Sequence, residues 1–191
     1  MLLTKKERQK RLAALGFYRG DIDGIEGPLT RAAYKALQDK YFTRKSDRDG
    51  IYGPNTEKLL KNAYLVKLHC DNFTLTEFKC DCGGKHCTGY PEVLNEQLLI
   101  NLQKIRNKYG PTIVTSGLRC KAYNNSLSGS SSTSRHLSGK AIDFAILPMT
   151  NDYSSRVAIM IYIKSLTKHN YTYHNDGNYP NMGNAIHFDV K

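Results

Sequence analysis

The sequence predicts an α+β protein, with a small all-helical module over residues 1–70 followed by a domain over 71–191 that combines helices with short strands. Three observations carry this. A Gly/Pro motif occurs twice in the first third, each copy opening a run of helical composition. Two short apolar runs, around positions 143 and 187, alternate between two faces as strands do. Between them and the repeat, from Leu65 to Thr74, the amphipathic pattern gives way to a short irregular stretch, which sets the domain boundary near residue 70.

The first helix opens at Thr4, which has Glu7 at capping-box spacing, and runs to Leu15 before Gly16 ends it. Asp23-Gly-Ile-Glu-Gly-Pro28 then recurs as Asp49-Gly-Ile-Tyr-Gly-Pro54, a repeat of about 26 residues. Each copy starts a helix, the first to about Tyr41 and the second to about Leu65. Proline is tolerated there because its missing N–H would be unpaired in a first turn. Thr30 and Thr56 stand at equivalent points of the two helices. From periodicity alone the repeat is equally a plain helical hairpin with no ligand.

Five cysteines, Cys70, Cys80, Cys82, Cys87 and Cys120, leave at least one thiol free or intermolecular. Cys80, Cys82, His86 and Cys87 are four potential zinc ligands, although adjacent ligands at 86 and 87 suit a tetrahedron poorly. The alternatives are a loop tied by one or two disulfides, reaching to Cys120, or reduced thiols.

Pro91 to Tyr109 reads as a helix with Leu94, Leu98, Leu102 and Ile105 on one face, stopped by Gly110-Pro111. Thr112 to Gly117 reads as a strand that delivers Arg119 to a loop. The planar fork of arginine suits a carboxylate or a developing oxyanion, and a surface salt bridge is its ordinary alternative. The small polar stretch Asn124 to Ser134 leads into Ser134-Arg-His-Leu-Ser-Gly-Lys-Ala-Ile-Asp143 as a mobile rim. A helix is expected over Ser154 to Leu166, and a Tyr/Asn/Gly-rich loop over Asn170 to Asn184.

His136, Asp143 and His187 are the candidate metal ligands. Two imidazoles and one carboxylate make an open zinc shell, leaving a position for a water whose pKa falls to about 7. In AIDFAIL, Ile142, Phe144 and Ile146 can enter a core while Ala141, Asp143 and Ala145 face away from it. In AIHFDV, Ile186, Phe188 and Val190 do the same against Ala185, His187 and Asp189. Strands anchored in this way give a metal fixed ligand geometry.

At 191 residues with 40% hydrophobic content, the chain is long and apolar enough for packed cores, which excludes a disordered protein. The net charge of +11 divides as +7 over residues 1–70 and +4 over 71–191, so an anionic partner is expected. The basic residues are scattered and carry no recognition motif, so nucleic acid is not expected to be that partner. The N-terminal run MLLTKKERQKRLAAL lacks the apolar region of a secretory signal, and no segment is expected to insert into a membrane.

The run LGFYRGDIDGIEGPLTRAAYKALQDKY resembles the peptidoglycan-binding domain found beside cell-wall hydrolases, over roughly residues 3–65. That resemblance implies a three-helix module holding bacterial wall glycopeptide. Three ordered motifs, Ser116-Gly-x-Arg119, Ser134-x-His-x-x-Gly-x-Ala-x-Asp143 and His187-x-Asp189, are similar to the zinc D-alanyl-D-alanine carboxypeptidases and related phage endolysin peptidases. This second resemblance covers about residues 74–191. It implies the fold shared with the hedgehog signalling domain, with an antiparallel sheet, and zinc on His136, Asp143 and His187. It also implies Arg119 as the group that stabilises the tetrahedral intermediate, and Ser134 hydrogen-bonding within the site.

Several members of that family carry an acidic general base three residues before the last histidine ligand, where this chain has Asn184. An amide cannot take a proton from an attacking water. Asp189 is the first replacement, Asp176 the second, and His174 a third; Asp189 equally suits orientation of a ligand. The expected protein is a monomeric peptidoglycan hydrolase of the endolysin type, a zinc metallopeptidase that cleaves a peptide bond of the stem peptide or cross-bridge. It is expected to be made in the cytoplasm without a signal peptide and to act at the bacterial wall after release, aided by anionic wall polymers. The alternative is a zinc-containing wall-binding protein without catalysis.

Overall fold

The computed structural model describes residues 2–175 and 182–191. Among these it contains six α-helices and a four-stranded antiparallel sheet. The class is α+β, with the helical region first.

Helix α1 (Lys5–Ala14) opens on the expected capping box, in which Thr4 accepts from the Glu7 N–H and the Glu7 carboxylate accepts from the Thr4 N–H. Helices α2 (Pro28–Tyr41) and α3 (Pro54–His69) follow the two repeats, each with proline in its first turn. The third helix runs past its expected end near Leu65. Val66 points into the core, and only after Cys70, whose N–H closes on the Val66 carbonyl, does the chain leave the helix.

Each repeat is held by a buried glutamine. Gln9 accepts from the Gly24 N–H at 2.7 Å and donates to Asp23 Oδ1 at 2.8 Å and the Ile25 carbonyl at 3.0 Å. Gln38 accepts from the Gly50 N–H at 2.7 Å and donates to Asp49 Oδ1 and the Ile51 carbonyl, both at 3.0 Å, and to Thr56 Oγ1 at 2.9 Å. In both copies the aspartate also accepts the N–H of the isoleucine two residues on, at 2.8 Å. Gly24 and Gly50 have φ of 83° and 73°, the left-handed region where glycine carries no Cβ penalty. The motif is thus a turn closed by its own aspartate and by one glutamine side chain from the preceding helix.

In the second part, helix α4 (Glu96–Tyr109) starts five residues later than the Pro91 expected from its apolar spacing. Asn95 caps it by accepting the Leu98 N–H, and Leu94 is buried just outside the helix. Strand β1 (Ile113–Ser116), helix α5 (Lys121–Ser126), strand β2 (Ala141–Ala145), helix α6 (Tyr153–Leu166), and strands β3 (Tyr171–His174) and β4 (Ile186–Asp189) follow. The sheet order is β1-β2-β4-β3.

Ile142, Phe144 and Ile146 join Ile186, Phe188 and Val190 in a core completed by Leu98, Leu102 and Ile105 of α4 and Ile159 and Ile163 of α6. The other face of β2 is also covered: Ala141, Asp143 and Ala145 are all buried. The apolar core is continuous across residue 70. Asn62 of α3 locks the junction, donating to the Glu92 carbonyl at 2.8 Å and accepting the Leu94 N–H at 2.7 Å.

Candidate metal centre

Strand register gathers the site. Asp143 pairs with His187 and Ala141 with Asp189 across β2 and β4, while Tyr173 pairs with His187 across β3 and β4. Side chains two apart share a face, so Asp143, His187, Asp189 and Tyr173 lie together opposite the core. A register shift between Val114 and Ser116 brings Ser116 level with Asp143.

His136 comes from a 3-10 turn over Arg135–Ser138 that ends at Gly139 in the left-handed conformation. A Cβ at Gly139 would stand 2.1 Å from the Val93 carbonyl oxygen, so this turn closes only on glycine. A Cβ at Gly117 would meet the Phe78 carbonyl oxygen at 2.5 Å. That close approach leaves the Gly117 carbonyl 2.7 Å from His136 Nδ1.

The ligand atoms of His136, Asp143 and His187 lie within 4.8 Å of one another, all buried. His187 Nδ1 is 2.7 Å from Asp143 Oδ1, and its Nε2 is 3.0 Å from Asp189 Oδ2. Burial alone would push the Asp143 carboxyl up, but hydrogen bonds and charge from His136 and His187 hold it well below the usual range. Burial likewise disfavours a charged His187, yet the carboxylates of Asp143 and Asp189 raise its proton affinity.

A carbonyl can only accept, so His136 Nδ1 carries a proton toward Gly117 and Nε2 is the nitrogen that faces the cluster. Among the described residues this buried Nε2 has no hydrogen-bond partner, and it stands 3.3 Å from Asp143 Oδ1. An imidazole nitrogen and a carboxylate oxygen that face one another in a buried site are satisfied by a proton or by a metal ion between them. With His187 Nδ1 as the third donor, the set matches the two-imidazole, one-carboxylate shell that zinc takes.

A cavity of about 770 Å³ opens over this cluster, lined in part by Arg119, Ser134, Tyr173 and Met182, with Asp189 also at its border. Arg119 donates to Asp143 Oδ2 at 2.7 Å and to Ser116 Oγ through Nε and Nη2, at 3.0 and 2.9 Å. It is therefore a half-buried partner of the cluster rather than a surface salt bridge. Tyr173 stacks on His187 with ring centroids 4.3 Å apart and planes at 17°.

Of the three sequence candidates for proton transfer, His174 is turned away. It sits on the opposite face of β3 from Tyr173, buried against Arg156 and Tyr153 of α6. Asp189 contacts the outer nitrogen of His187, and Asp176 lies outside the described residues. Asn184 donates to Asn151 Oδ1 at 2.7 Å on the surface.

The cysteine group also differs from the expected set. His86 is exposed, and Cys120 takes its place beside Cys80, Cys82 and Cys87. Sequence reasoning named Ser116 and Gly117 within a motif but gave neither a role, and it missed Tyr173. Tyr173 was within reach, because its alternation with the buried Thr172 is visible in the tyrosine-rich stretch, but only the pairing of β3 with β4 brings it over His187.

Residues 71–179 match the family model described as Peptidase M15, and residues 6–60 match one described as Putative peptidoglycan binding domain. A zinc D-Ala-D-Ala carboxypeptidase of Streptomyces albus G is 32% identical over 128 residues, which is 64% of this chain and 49% of that protein. A Putative OxPP cycle protein OpcA of Synechococcus elongatus is 38% identical over 69 residues, 36% of this chain and 15% of that protein. The chain spans about half or less of the length of these relatives.

Proposed function

The chain belongs to the peptidase M15 family, and from that premise we propose that it is a zinc peptidase of the bacterial wall, an endolysin-type enzyme that hydrolyses a peptide bond in peptidoglycan. The observation that carries the reading is the buried, unpartnered Nε2 of His136, 3.3 Å from Asp143 Oδ1 at the base of a cavity of about 770 Å³. Supporting it are the zinc D-Ala-D-Ala carboxypeptidase relative and the peptidoglycan-binding match over residues 6–60.

In this proposal His136, Asp143 and His187 hold the zinc. When bound, the ion supplies Lewis acidity that makes water nucleophilic and polarises a scissile carbonyl. The Gly117 carbonyl keeps the proton of His136 on Nδ1, and Asp189 accepts from His187 Nε2, so each ring turns its other nitrogen to the cluster. Arg119, braced by Ser116, offers fixed N–H donors to the substrate oxygen on which negative charge develops. Ser134 on the cavity wall hydrogen-bonds the substrate. With Asp189 engaged on His187 Nε2, the second sequence candidate, Asp176, is left to accept the proton of the attacking water and return it to the leaving amine; it lies outside the described residues, so the assignment rests on the sequence alone.

The helical module would hold the wall. Its two repeats meet at a cavity of about 480 Å³ lined by Glu26, Arg31 and Lys35 on one side and Asp49 and Ile51 on the other. The net charge of +11 would favour walls rich in anionic polymer. Among the described residues no helix is long and apolar enough to cross a membrane.

A second reading, a wall-binding protein that holds zinc without catalysis, is favoured by Asn184, whose amide stands at the expected base position and points to Asn151. Mass spectrometry of peptidoglycan incubated with zinc-loaded protein separates the two. New fragments that differ by one hydrolysed peptide bond support the enzyme and name the bond. Wall pull-down with unchanged fragments supports the binding protein.

A further inference from the structure

The four thiols of Cys80, Cys82, Cys87 and Cys120 lie within 4.8 Å of one another, and we infer that they form a second, structural zinc site of four thiolates. A tetrahedron of Zn–S bonds near ~2.3 Å has edges of roughly 3.8 Å. Cys82 Sγ and Cys87 Sγ are 3.5 Å apart, and all five cysteines of the chain are free thiols. Mutual proximity of all four sulfurs is what one ion requires, whereas two disulfides would need only separate pairs.

The local chain is shaped for this. Cys80 and Cys82 are buried with exposed Asp81 between them, so alternate side chains turn inward. Gly83 and Gly84, with φ of 64° and 83°, then reverse the chain and bring Cys87 back. Gly84 has a left-handed φ of 83° and a Cβ there would stand 3.0 Å from Thr43 Cγ2, so glycine suits the turn against the helical module. The Cys120 N–H points at Cys80 Sγ from 3.3 Å, a donor suited to a sulfur that carries negative charge.

Residues 79–90 contain no helix or strand, and the cysteines form a cluster of their own, supported by Tyr123 and separate from the main core. A loop with so little apolar surface of its own gains its order from a bound ion. The same loop meets the helical module through the Thr43 N–H on the Thr88 carbonyl at 3.0 Å. Phe78, just before it, takes the Leu118 N–H at 3.0 Å, and Cys120 follows Arg119 directly. The site therefore ties the helical module and the cysteine loop to the segment that carries Arg119 and the Gly117 carbonyl. Its role is positional, and it does not depend on the hydrolytic reading.

Metal analysis of the purified wild-type protein tests it. Two zinc ions per chain are expected, with one bound by sulfur alone in the X-ray absorption spectrum. His187→Ala should retain one zinc, and cobalt exchanged into that variant should give an intense thiolate-to-metal charge-transfer band. At most one zinc per wild-type chain with no sulfur ligation overturns the inference. An intact mass two or four hydrogens light, reporting disulfides among these cysteines, overturns it as well.

Discussion

The carboxylate of Asp189 stands 3.0 Å from Nε2 of His187, while Nδ1 of the same ring meets Asp143 at 2.7 Å. The two nitrogens of an imidazole diverge, so a carboxylate on Nε2 aims Nδ1 at the cluster from behind. Asp189→Ala should therefore lower zinc affinity by about 10- to 100-fold, with hydrolysis returning at saturating zinc. Asp176→Asn should leave zinc content unchanged and lower kcat by about 10²- to 10⁴-fold. If Asp189→Ala stays inactive at saturating zinc while Asp176→Asn is active, the two roles are exchanged.

Arg119 is fixed through Nε and Nη2 on Asp143 Oδ2 and Ser116 Oγ at the cavity wall, which leaves its Nη1 group for substrate. Its replacement by alanine should cost about 10²- to 10³-fold in kcat, the usual loss for one donor to a developing oxyanion. Arg119→Lys should recover only part of this, because an ammonium cannot reproduce two directed N–H bonds from a plane. Steady-state kinetics on a soluble stem-peptide substrate measures both.

Much of this site was legible before any coordinates. Asp143 and His187 could be set on one face because strand alternation sorts AIDFAIL and AIHFDV into core and polar faces, and the structure keeps that sorting; His136, on a 3-10 turn, was found by its motif alone. The turning away of His174 follows from the same alternation, read one residue along from Tyr173. Cys120 and Gln9 were not legible as partners. Cys120 joins Cys80 across 40 positions, and Gln9 reaches its turn from 14 residues away, 11 in the case of Gln38. Such contacts depend on how elements pack, which no local spacing records.

The glutamine clasp gives a stability prediction. Gln38 is fully buried, and Gln38→Leu would strand the Gly50 N–H and the Ile51 carbonyl without their partner. The expected loss is about 2–4 kcal/mol. Urea unfolding of the full chain measures it, and Gln9→Leu should behave alike because Gln9 holds the glycine N–H, the aspartate and the isoleucine carbonyl of its own turn.

Glu57 links pH to the helical module. Burial pushes its carboxyl up, but Lys61, Tyr52 and the Leu3 N–H together hold it below the ordinary glutamate range. A depressed folded pKa stabilises the fold above the unfolded value, and this contribution disappears as pH falls through the folded one. The urea midpoint should therefore drop below about pH 4.5, and Glu57→Gln should flatten part of that drop. Parallel curves for the two proteins would remove Glu57 from the acid response.

The claim at the centre is that His136, Asp143 and His187 hold a hydrolytic zinc over which wall peptide is cut. Release of free amino groups from purified peptidoglycan by the zinc-loaded protein tests it most directly. Steady release is expected that stops on chelation, resumes with added zinc, and is absent in His136→Ala. No release by the zinc-loaded wild-type protein, or release that chelation leaves untouched, would contradict the account.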